Sequence, residues 1–575
     1  MSWFTGILLR KEISFQILCK PLLGKGEILF QDKKVILFAG SIPGKNLFFG
    51  NIPPHLTWAV SGIGVKTLSD GITFLENPDW LSLITQQQLP EDGHYAMVII
   101  DKEKIIFKTD HLGLRDIYIV EMEDKIIFST KLEHIALFYD LILDDERIGS
   151  LWFAPNRISN HALYKNVTRL VCGKSAEIDL HATKITFQDK DWIPVFIERK
   201  EAATEFAERL TQLMDIKNKN VLLGLSGGMD SRLLLSFLLS GTNKNWSAHS
   251  SGIGDIDSTL PAQIAEQLNF SHKLINSGFG FETGDIEELQ RFSFLTSVNH
   301  PVSSYFNLKI TRILEKENKV LIDGGFGEIW RREYFNRLIW KGRHGLLNLN
   351  SEIISTSINY NRGDIFNDYY TEIFRKNLIA EIDELLLRLP KPGILGVENW
   401  VDLFAIKTRL VNYYSPEQSR LDELVINFMP FAQFSLLKKL FEIPVTQRKN
   451  ANLFRKIIKQ NVPELTGFPL VKNGRAYPFG TKTLTARLLT RFFKGKISSA
   501  SSPILFPAIR EYILDMLISD EVKNDNFYDY YKLSALVKKA CENQDIKACN
   551  SLEWWLSFHM NRIYLQKLTK SRGQI

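Results

Sequence analysis

The sequence predicts a multidomain protein of the α/β and α+β classes. An antiparallel β-sandwich with helices, residues 1–195, is expected to precede a doubly wound parallel-sheet domain with a helical C-terminal part, residues 205–575. The chain has 575 residues, too many for a single core at about 150 residues per domain. Short alternating apolar runs occupy its first third. After residue 215, strand-like and helical runs alternate, and helical periodicity dominates beyond about residue 340.

The composition narrows the class of protein. Hydrophobic residues make up 45% and charged residues 24%, as in ordinary globular proteins. The net charge of +6, from 71 basic and 65 acidic residues, is too small to indicate a nucleic-acid partner. No apolar run approaches the roughly 18 residues of a membrane span, and charges interrupt the start before a signal-peptide region is complete. We therefore expect no transmembrane segment and a cytoplasmic location.

The cysteine pattern supports the same location. The four cysteines are scattered and show no Cys-x-x-Cys spacing, so they predict buried thiols in a reducing compartment instead of a disulfide framework or a zinc site; they are Cys19, Cys172, Cys541 and Cys549.

The first domain is predicted from short runs that turn residues separate. Asp92-Gly93 and the stretch 110–113 are such turns, and a polar helix near 200–214 leads out of the domain. The predicted strands are Gly26–Phe30, Lys34–Phe38, Tyr95–Ile100, Lys104–Phe107, Ile117–Val120, Lys125–Phe128 and Ser175–Ile178.

The stretch Leu225–Ser231, with the sequence LSGGMDS, is the strongest functional signal. It follows an apolar strand-like run and leads into a helical one, so it predicts a strand, a glycine turn and a helix start. Such a turn suits a phosphate, because Gly227 and Gly228 admit the backbone closely and the helix start presents free N–H groups. The hydroxyls of Ser226 and Ser231 add donors. The alternative is an ordinary serine- and glycine-rich turn. The spacing of the glycines and serines differs from that of the Walker loop.

Asp230 within this stretch predicts a divalent cation. A carboxylate beside a polyphosphate is repelled unless a cation bridges them, and Mg²⁺ commonly binds one or two carboxylates together with phosphate oxygens. In open α/β sheets, ligands bind beyond the carboxyl ends of the strands. The segments that follow the predicted strands Trp246–Ser250 and Val320–Ile322 should therefore meet the same site. The second of these segments ends in the acid Glu328, which would help to hold the metal.

The order of these motifs resembles that of the asparagine synthetase superfamily, over nearly the whole chain. Ser-Gly-Gly-x-Asp-Ser is similar to the pyrophosphate loop of the ATP pyrophosphatases, and 324–328 resembles the family's Ser-Gly-x-Gly-x-Asp-Glu. Segments 92–96 and 110–118 are similar to the interior of the class II (Ntn) glutamine amidotransferase domain. The segments that look like the family's helical C-terminal part are Phe428–Phe431, Arg455–Ile458 and Pro469–Gly474.

The resemblance implies ATP and Mg²⁺ as cofactors and a role for each matching residue. The phosphates of ATP would be held by Ser226, Gly227, Gly228 and Ser231, the ribose side would lie against Gly324, the metal ligands would be Asp230 and Glu328, and the catalytic lysine that stabilises the leaving pyrophosphate would be Lys472. Two of these assignments have plain alternatives. Glu328 could be an acid that favours a helix start, and Lys472 could be a solvated surface lysine.

The chain departs from the family at two catalytic positions. Class II amidotransferases use a cysteine at position 2, where this chain has Ser2, and their Arg-Gly-Pro-Asp and Asn-Gly signatures are not visible. We therefore expect a structural first domain without glutaminase activity, the alternative being a serine activated beside a free α-amine. The position that carries a glutamate or tyrosine base in the family is Gly325. Candidate bases elsewhere, each with a structural alternative, are Tyr413, Tyr414, Asp422 and Glu423.

These observations together predict an ATP-dependent, amide-bond-forming synthetase that releases AMP and pyrophosphate. Its partners would be a small-molecule or peptide carboxylate and an amine donor or ammonia; a second copy of the chain in a homo-oligomer, or a pathway partner, is left open as a further partner. The alternatives are a glutamine-hydrolysing asparagine synthetase, which Ser2 and Gly325 disfavour, and a nucleotide-binding, non-catalytic family member or scaffold. A basic amphipathic stretch, 482–496, predicts a helix docked on the protein's own core, with a membrane surface or an anionic partner as the alternative.

Overall fold

The computed structural model describes most of the chain. The described residues are 2–11, 15–40, 46–52, 56–189, 192–252, 254–276, 280–282, 284–472, 474–482, 485, 502–542 and 545–572. Nearly all of the basic stretch 482–496 lies outside them, so its predicted docking remains a prediction.

The described residues up to 189 form two antiparallel sheets. The six-stranded sheet has the order β11-β9-β10-β1-β3-β2, and the second has the order β13-β12-β8-β7-β5-β4, with β6 paired to β5. The strands are β1 Trp3–Leu9, β2 Glu27–Gln31, β3 Val35–Gly40, β4 Leu47–Ile52, β5 Leu56–Leu68, β6 Gly71–Phe74, β7 Asp92–Ile100, β8 Lys104–Thr109, β9 Ile117–Glu121, β10 Lys125–Ser129, β11 Thr168–Leu170, β12 Lys174–Asp179 and β13 Ile185–Asp189.

The two sheets share one apolar layer. Phe4 and Leu37 of the first sheet belong to the same buried cluster as Val98 and Phe107 of the second, and Phe107 contacts Phe128 ring to ring at 4.8 Å. Alternate residues of each strand point into this layer, as expected when two sheets pack face to face. The predicted antiparallel sheet architecture is confirmed.

A five-stranded parallel sheet follows, with the order β16-β15-β14-β17-β18. The chain runs outward from β14 through β15 and β16, and then crosses to the other side of β14 for β17 and β18. Ligands of such sheets bind where the order reverses, beyond the ends of the two central strands. The strands are β14 Val221–Gly224, β15 Trp246–Gly252, β16 His272–Asn276, β17 Val320–Ile322 and β18 Ile426–Phe428.

Helices make up the other elements: a few lie among the strands of the first domain, and most follow residue 200. One segment, Ile406–Tyr414, is a π-helix, a form that often marks functional sites. The α-helices are Phe15–Leu18, Asn77–Thr85, Leu132–Ala136, Gly149–Phe153, Ala202–Met214, Met229–Ser240, Ile256–Leu268, Asp285–Leu295, Tyr305–Glu315, Gly327–Trp330, Asn336–Leu347, Ser351–Ile358, Asp368–Leu386, Pro392–Leu395, Val397–Ala405, Ser415–Leu421, Phe434–Leu440, Val445–Arg448, Asn452–Asn461, Ser502–Ala508, Arg510–Ile518, Asp520–Lys523, Tyr530–Cys541 and Ile546–Arg572.

The C-terminal part is mainly helical, as the sequence predicts, but it also contains short strands. It supplies β18 to the parallel sheet and a small hairpin of β19 Leu470–Lys472 and β20 Arg475–Tyr477. Each of these strands has three residues, which is too short for a period of two to be visible in the sequence. Pairing with a distant strand defines β18, and pairing with each other defines β19 and β20.

A buried polar cluster joins the β-sandwich to the C-terminal half. The carboxylate of Asp422 lies 3.0 Å from Nε2 of His94 and 3.3 Å from Nη1 of Arg115, and the Asp422 side chain has no exposed surface. Nε2 of Gln418 lies 2.9 Å from Nε2 of His94. Buried polar groups are costly unless they are paired, so this cluster fixes how the two halves meet.

None of the four cysteines, all of which lie within the described residues, forms a disulfide bond. Among the residues that the structure describes, no helix combines the length and apolarity needed to cross a membrane.

Candidate functional site

The predicted phosphate loop lies between β14 and the helix Met229–Ser240. Its hydroxyls hold the turn together: Oγ of Ser231 accepts the Ser226 N–H at 3.1 Å, and Oγ of Ser226 accepts the Gly228 N–H at 3.2 Å. Gly228 occupies the N-cap position, where it brings no side chain to cap the first helical turn. Helix starts of this kind attract anions, because their N–H groups point outward with partial positive charge.

The hairpin that carries Lys472 is attached to this loop. The Val471 N–H donates to the Gly227 carbonyl at 2.9 Å, and a Cβ added at Gly227 would lie 2.4 Å from Cγ2 of Val471. Arg232, fully buried, donates to the carbonyls of Phe468 and Pro469 just before β19, at 2.9 and 2.8 Å. A side chain larger than that of glycine at 227 would push the hairpin off the loop.

The second glycine loop, after β17, packs on the first. A Cβ at Gly327 would lie 2.3 Å from Cγ of Asp230, and one at Gly324 would lie 3.0 Å from the Ser231 nitrogen. Only glycine allows so close an approach at 327. The two loops therefore meet at the position where the sheet order reverses, as the parallel-sheet rule requires.

Charged side chains from both loops and the hairpin form one row. Nε and Nη2 of Arg331 donate to the two carboxylate oxygens of Asp230, at 2.6 and 2.8 Å. Nη1 of Arg331 lies 2.7 Å from Glu333, and Nζ of Lys472 donates to the other oxygen of Glu333 at 2.8 Å. The row Asp230, Arg331, Glu333, Lys472 alternates in sign and is partly buried.

A second charged group surrounds Glu328. Nε of Arg409, from the π-helix, donates to Glu328 at 2.6 Å. The Arg409 guanidinium lies 4.4 Å from the ring centres of Tyr334 and of Tyr413. Stacking on these rings holds the guanidinium in place. Two acids, each paired with an arginine, thus lie near each other beside the two glycine loops.

The surroundings of Asp230 favour a positive charge beside its carboxylate. Burial, together with the carboxylates of Glu328 and Glu333, raises the pKa of Asp230 above its usual value, although Arg331 opposes the shift. A carboxylate in this position gains more than an exposed one from a nearby positive charge.

One loop donor already binds a carboxylate. The Gly227 N–H donates to Oδ1 of Asp257 at 3.1 Å, and Asp257 belongs to the helix that follows β15. Burial raises the pKa of Asp257. The contact shows that this N–H is oriented to bind an anionic oxygen.

The donor set fits a phosphate-bound magnesium ion. Among the described residues no three His, Cys, Asp or Glu side chains gather as a self-contained metal site. Mg²⁺ usually binds one or two carboxylates and takes its remaining ligands from phosphates and water. Asp230 and Glu328 can supply those carboxylates, provided that each leaves its arginine.

The structure separates the four candidate bases. Tyr414 is at the site, where its hydroxyl accepts the Phe326 N–H at 2.9 Å and lies 3.3 Å from Glu328. Tyr413 stacks on Arg409 and on His300, with 4.2 Å between the ring centres of His300 and Tyr413. Burial, with the charge of Glu328, raises the pKa of Tyr414 well above its usual value, so this phenol keeps its proton at neutral pH.

The structure does not bring the candidate bases Asp422 and Glu423 to this site. Asp422 lies in the buried cluster against the β-sandwich, and Glu423 is paired with Lys131 at 3.1 Å. Both residues face the first domain because the chain turns toward β18 after the helix Ser415–Leu421.

At Gly325, a Cβ would lie 3.0 Å from Cε1 of Tyr414, so the Tyr414 ring occupies the space next to this glycine.

Ser2 is buried in hydrogen bonds within the first domain. Its Oγ lies 2.9 Å from Oγ of Ser61 and also donates to the Asn46 carbonyl, and Nη2 of Arg115 donates to the Ser2 carbonyl at 3.0 Å. Only 5% of Ser2 is exposed, and its hydroxyl is engaged in these hydrogen bonds.

Three residues of the site were not predicted from the sequence: Arg331, Glu333 and Arg409. Arg331 and Glu333 lie within five residues of Glu328, so the charged run that follows the second glycine loop was the available signal. Arg409 lies 81 residues from its partner Glu328, and no local pattern marks it.

Comparisons with known proteins do not identify the family. No protein-family model and no curated protein sequence matches the chain. Solved structures with some similarity include the U34-tRNA thiolase NcsA from Methanococcus maripaludis, at 12% identity and a TM-score of 0.18, over 35% of this chain and 86% of the thiolase.

Two further solved structures with some similarity are an amidotransferase and an enzyme of purine biosynthesis. Glutamine phosphoribosylpyrophosphate amidotransferase from B. subtilis, complexed with ADP and GMP, shows 13% identity and a TM-score of 0.19, over 47% of this chain and 59% of its own. An allosteric regulatory enzyme of purine biosynthesis shows 10% identity and a TM-score of 0.20, over 48% and 74% of the respective chains. Similarity this weak says nothing about the function of this chain.

Proposed function

We propose that this protein is an ATP-dependent amide-forming synthetase that activates a carboxylate as its adenylate and does not hydrolyse glutamine itself. The observation that carries the proposal is the meeting of two glycine loops and a lysine hairpin at the reversal point of a parallel sheet. Asp230, Glu328 and Lys472 come from three separate segments and converge there. A simple strand-to-helix turn would not require glycine against a carboxylate at position 327.

In the proposed reaction a substrate carboxylate oxygen attacks the α-phosphorus of ATP, and the bond from that phosphorus to the bridging oxygen breaks. Pyrophosphate leaves, an amine then attacks the acyl carbon, and AMP departs as the amide forms. The helix start and loop N–H groups at Ser226–Ser231 hold the phosphates, and Lys472, positioned by Glu333, faces the leaving pyrophosphate. Mg²⁺ bound through Asp230 and Glu328 would neutralise phosphate charge. The protein contributes mainly positioning and charge stabilisation.

Measuring the products that the protein forms from ATP tests this proposal. We expect wild-type protein, given MgATP, a panel of carboxylic acids and hydroxylamine as a general amine, to form equal amounts of AMP and pyrophosphate with at least one acid. Nucleotide chromatography and a pyrophosphate assay measure both products, and a reaction without acid is the control. ADP with orthophosphate as the only products, or a loop that binds no nucleotide, would refute the proposal.

The buried state of Ser2 predicts that glutamine is not the nitrogen donor. We expect no release of glutamate from glutamine above a protein-free blank, and Ser2→Ala should form AMP at the wild-type rate, because the hydrogen bonds of Ser2 are to Asn46, Ser61 and Arg115 of its own domain. An enzymatic glutamate assay gives the first result. Glutamate release by the wild type that Ser2→Ala abolishes would instead establish a serine glutaminase.

A non-catalytic nucleotide-binding protein is the second candidate. The observation in its favour is that both proposed metal ligands are already neutralised by arginines, Asp230 by Arg331 and Glu328 by Arg409. A site that never turns over could keep these pairs permanently. The Asp230 substitution described in the Discussion separates the two candidates.

A further inference from the structure

Arg331 occupies the carboxylate that the proposed metal needs. Its guanidinium binds both oxygens of Asp230, at 2.6 and 2.8 Å, so Asp230 cannot turn to a metal while this pair is complete. Only 14% of the Arg331 side chain is exposed, and Arg331 is the C-cap residue of the helix Gly327–Trp330. Bidentate pairs of arginine and carboxylate are among the stronger interactions on a protein surface or in a cleft.

Arg331 is also held from its other side. Glu333 lies 2.7 Å from Nη1 of Arg331 and also accepts from Lys472 at 2.8 Å. If Asp230 turned away, Glu333 would keep the guanidinium within the cleft. The guanidinium would then point its donors toward the first turn of the helix Met229–Ser240, where the phosphates are proposed to bind.

The charge balance gives this arrangement a purpose. Asp230, Arg331, Glu333 and Lys472 sum to zero, whereas MgATP carries net negative charge. When Asp230 joins the metal, its bond to Arg331 is lost, and phosphate oxygens match the geometry of the freed guanidinium fork. The same arginine can therefore neutralise two different anions in turn.

We propose that Arg331 is a nucleotide-binding residue that neutralises Asp230 before ATP arrives and transfers to phosphate oxygens when magnesium takes Asp230. This inference rests on the proposed function, because it assumes that the loop 226–231 binds metal-bound ATP. It adds a phosphate ligand outside both glycine loops, and it explains how a cleft with two closely placed acids stays neutral without a metal.

If Arg331 transfers from Asp230 to phosphate, Arg331→Ala should change the affinities for Mn²⁺ and for MnATP in opposite directions. Mn²⁺ alone should bind several-fold more tightly than in wild type, because Asp230 loses its competing counterion. MnATP should bind about 10- to 100-fold more weakly, the loss expected for hydrogen bonds to a charged group. Electron paramagnetic resonance measures free Mn²⁺, and isothermal titration calorimetry measures MnATP binding, so neither readout depends on turnover.

Two variants control for folding and for general loss of charge. Arg331→Lys keeps the positive charge without the fork, so Mn²⁺ alone should bind as in wild type and MnATP should bind several-fold more weakly. Arg312→Ala removes another bidentate pair, to Glu288 at 2.6 and 2.8 Å, on helices that carry no candidate site residue. Neither affinity should change in that variant.

The possible results are distinct. Equal weakening of Mn²⁺ and MnATP binding in Arg331→Ala would show a structural role only, and no change in either would show that Arg331 does not contact the nucleotide; both results overturn the inference and leave the proposed function intact. Failure of the wild type to bind MnATP would instead refute the proposed function and, with it, this inference.

Discussion

Asp230→Asn is expected to abolish formation of AMP and pyrophosphate. The substitution keeps the size of the side chain but removes the charge that would hold Mg²⁺ against the triphosphate, and it leaves Arg331 without its carboxylate. Loss of a residue that only supports a metal ligand costs about 10- to 100-fold, and loss of a ligand itself should cost at least the upper value. The rate of AMP formation under saturating MgATP measures the effect.

Asp285→Asn is the matched control for this substitution. Asp285 also forms a partly buried ion pair, with Lys309 at 2.6 Å, but it begins a helix that carries no candidate site residue. AMP formation should stay within a few-fold of wild type. If the protein acts in cells and Asp230→Asn leaves that action intact, the non-catalytic alternative is correct and the synthetase proposal is not.

Asp422→Asn is expected to destabilise the protein by about 3–5 kcal/mol, the cost of breaking one side of a buried ion pair. Asp422 and Arg115 are at most 2% exposed, and the pair joins the β-sandwich to the chain leading into β18. The substitution would leave the Arg115 guanidinium in the interior without its carboxylate. The midpoint and slope of urea-induced unfolding give the change in free energy.

Asp70→Asn is the control for the loss of an aspartate charge in general. Asp70 pairs with Lys217 at 3.0 Å, but its side chain is 71% exposed, so water replaces the pair and the change in the free energy of unfolding should be far smaller than for Asp422→Asn. An Asp422→Asn variant no less stable than the Asp70→Asn variant would contradict the assignment of Asp422 to the domain contact and would return it to the list of candidate bases.

Much of the architecture was readable because it rests on local patterns. Alternation of apolar residues predicted strands such as β8 and β10, and the run 221–240 predicted a strand, a turn and a helix. The strand β18 escaped prediction because three residues pair only with a strand about a hundred positions earlier in the chain. For the same reason the sequence could not show that Asp422 faces the β-sandwich while Tyr414, eight residues before it, faces the loop.

The strand, glycine turn and helix start around Leu225–Ser231 could be predicted from the sequence alone, because consecutive residues encode them. The charges that surround this turn became visible only in the folded chain. Arg331, Arg409 and Lys472 reach Asp230, Glu328 and Glu333 from separate segments, and such pairings depend on which strands lie side by side and not on any spacing along the chain.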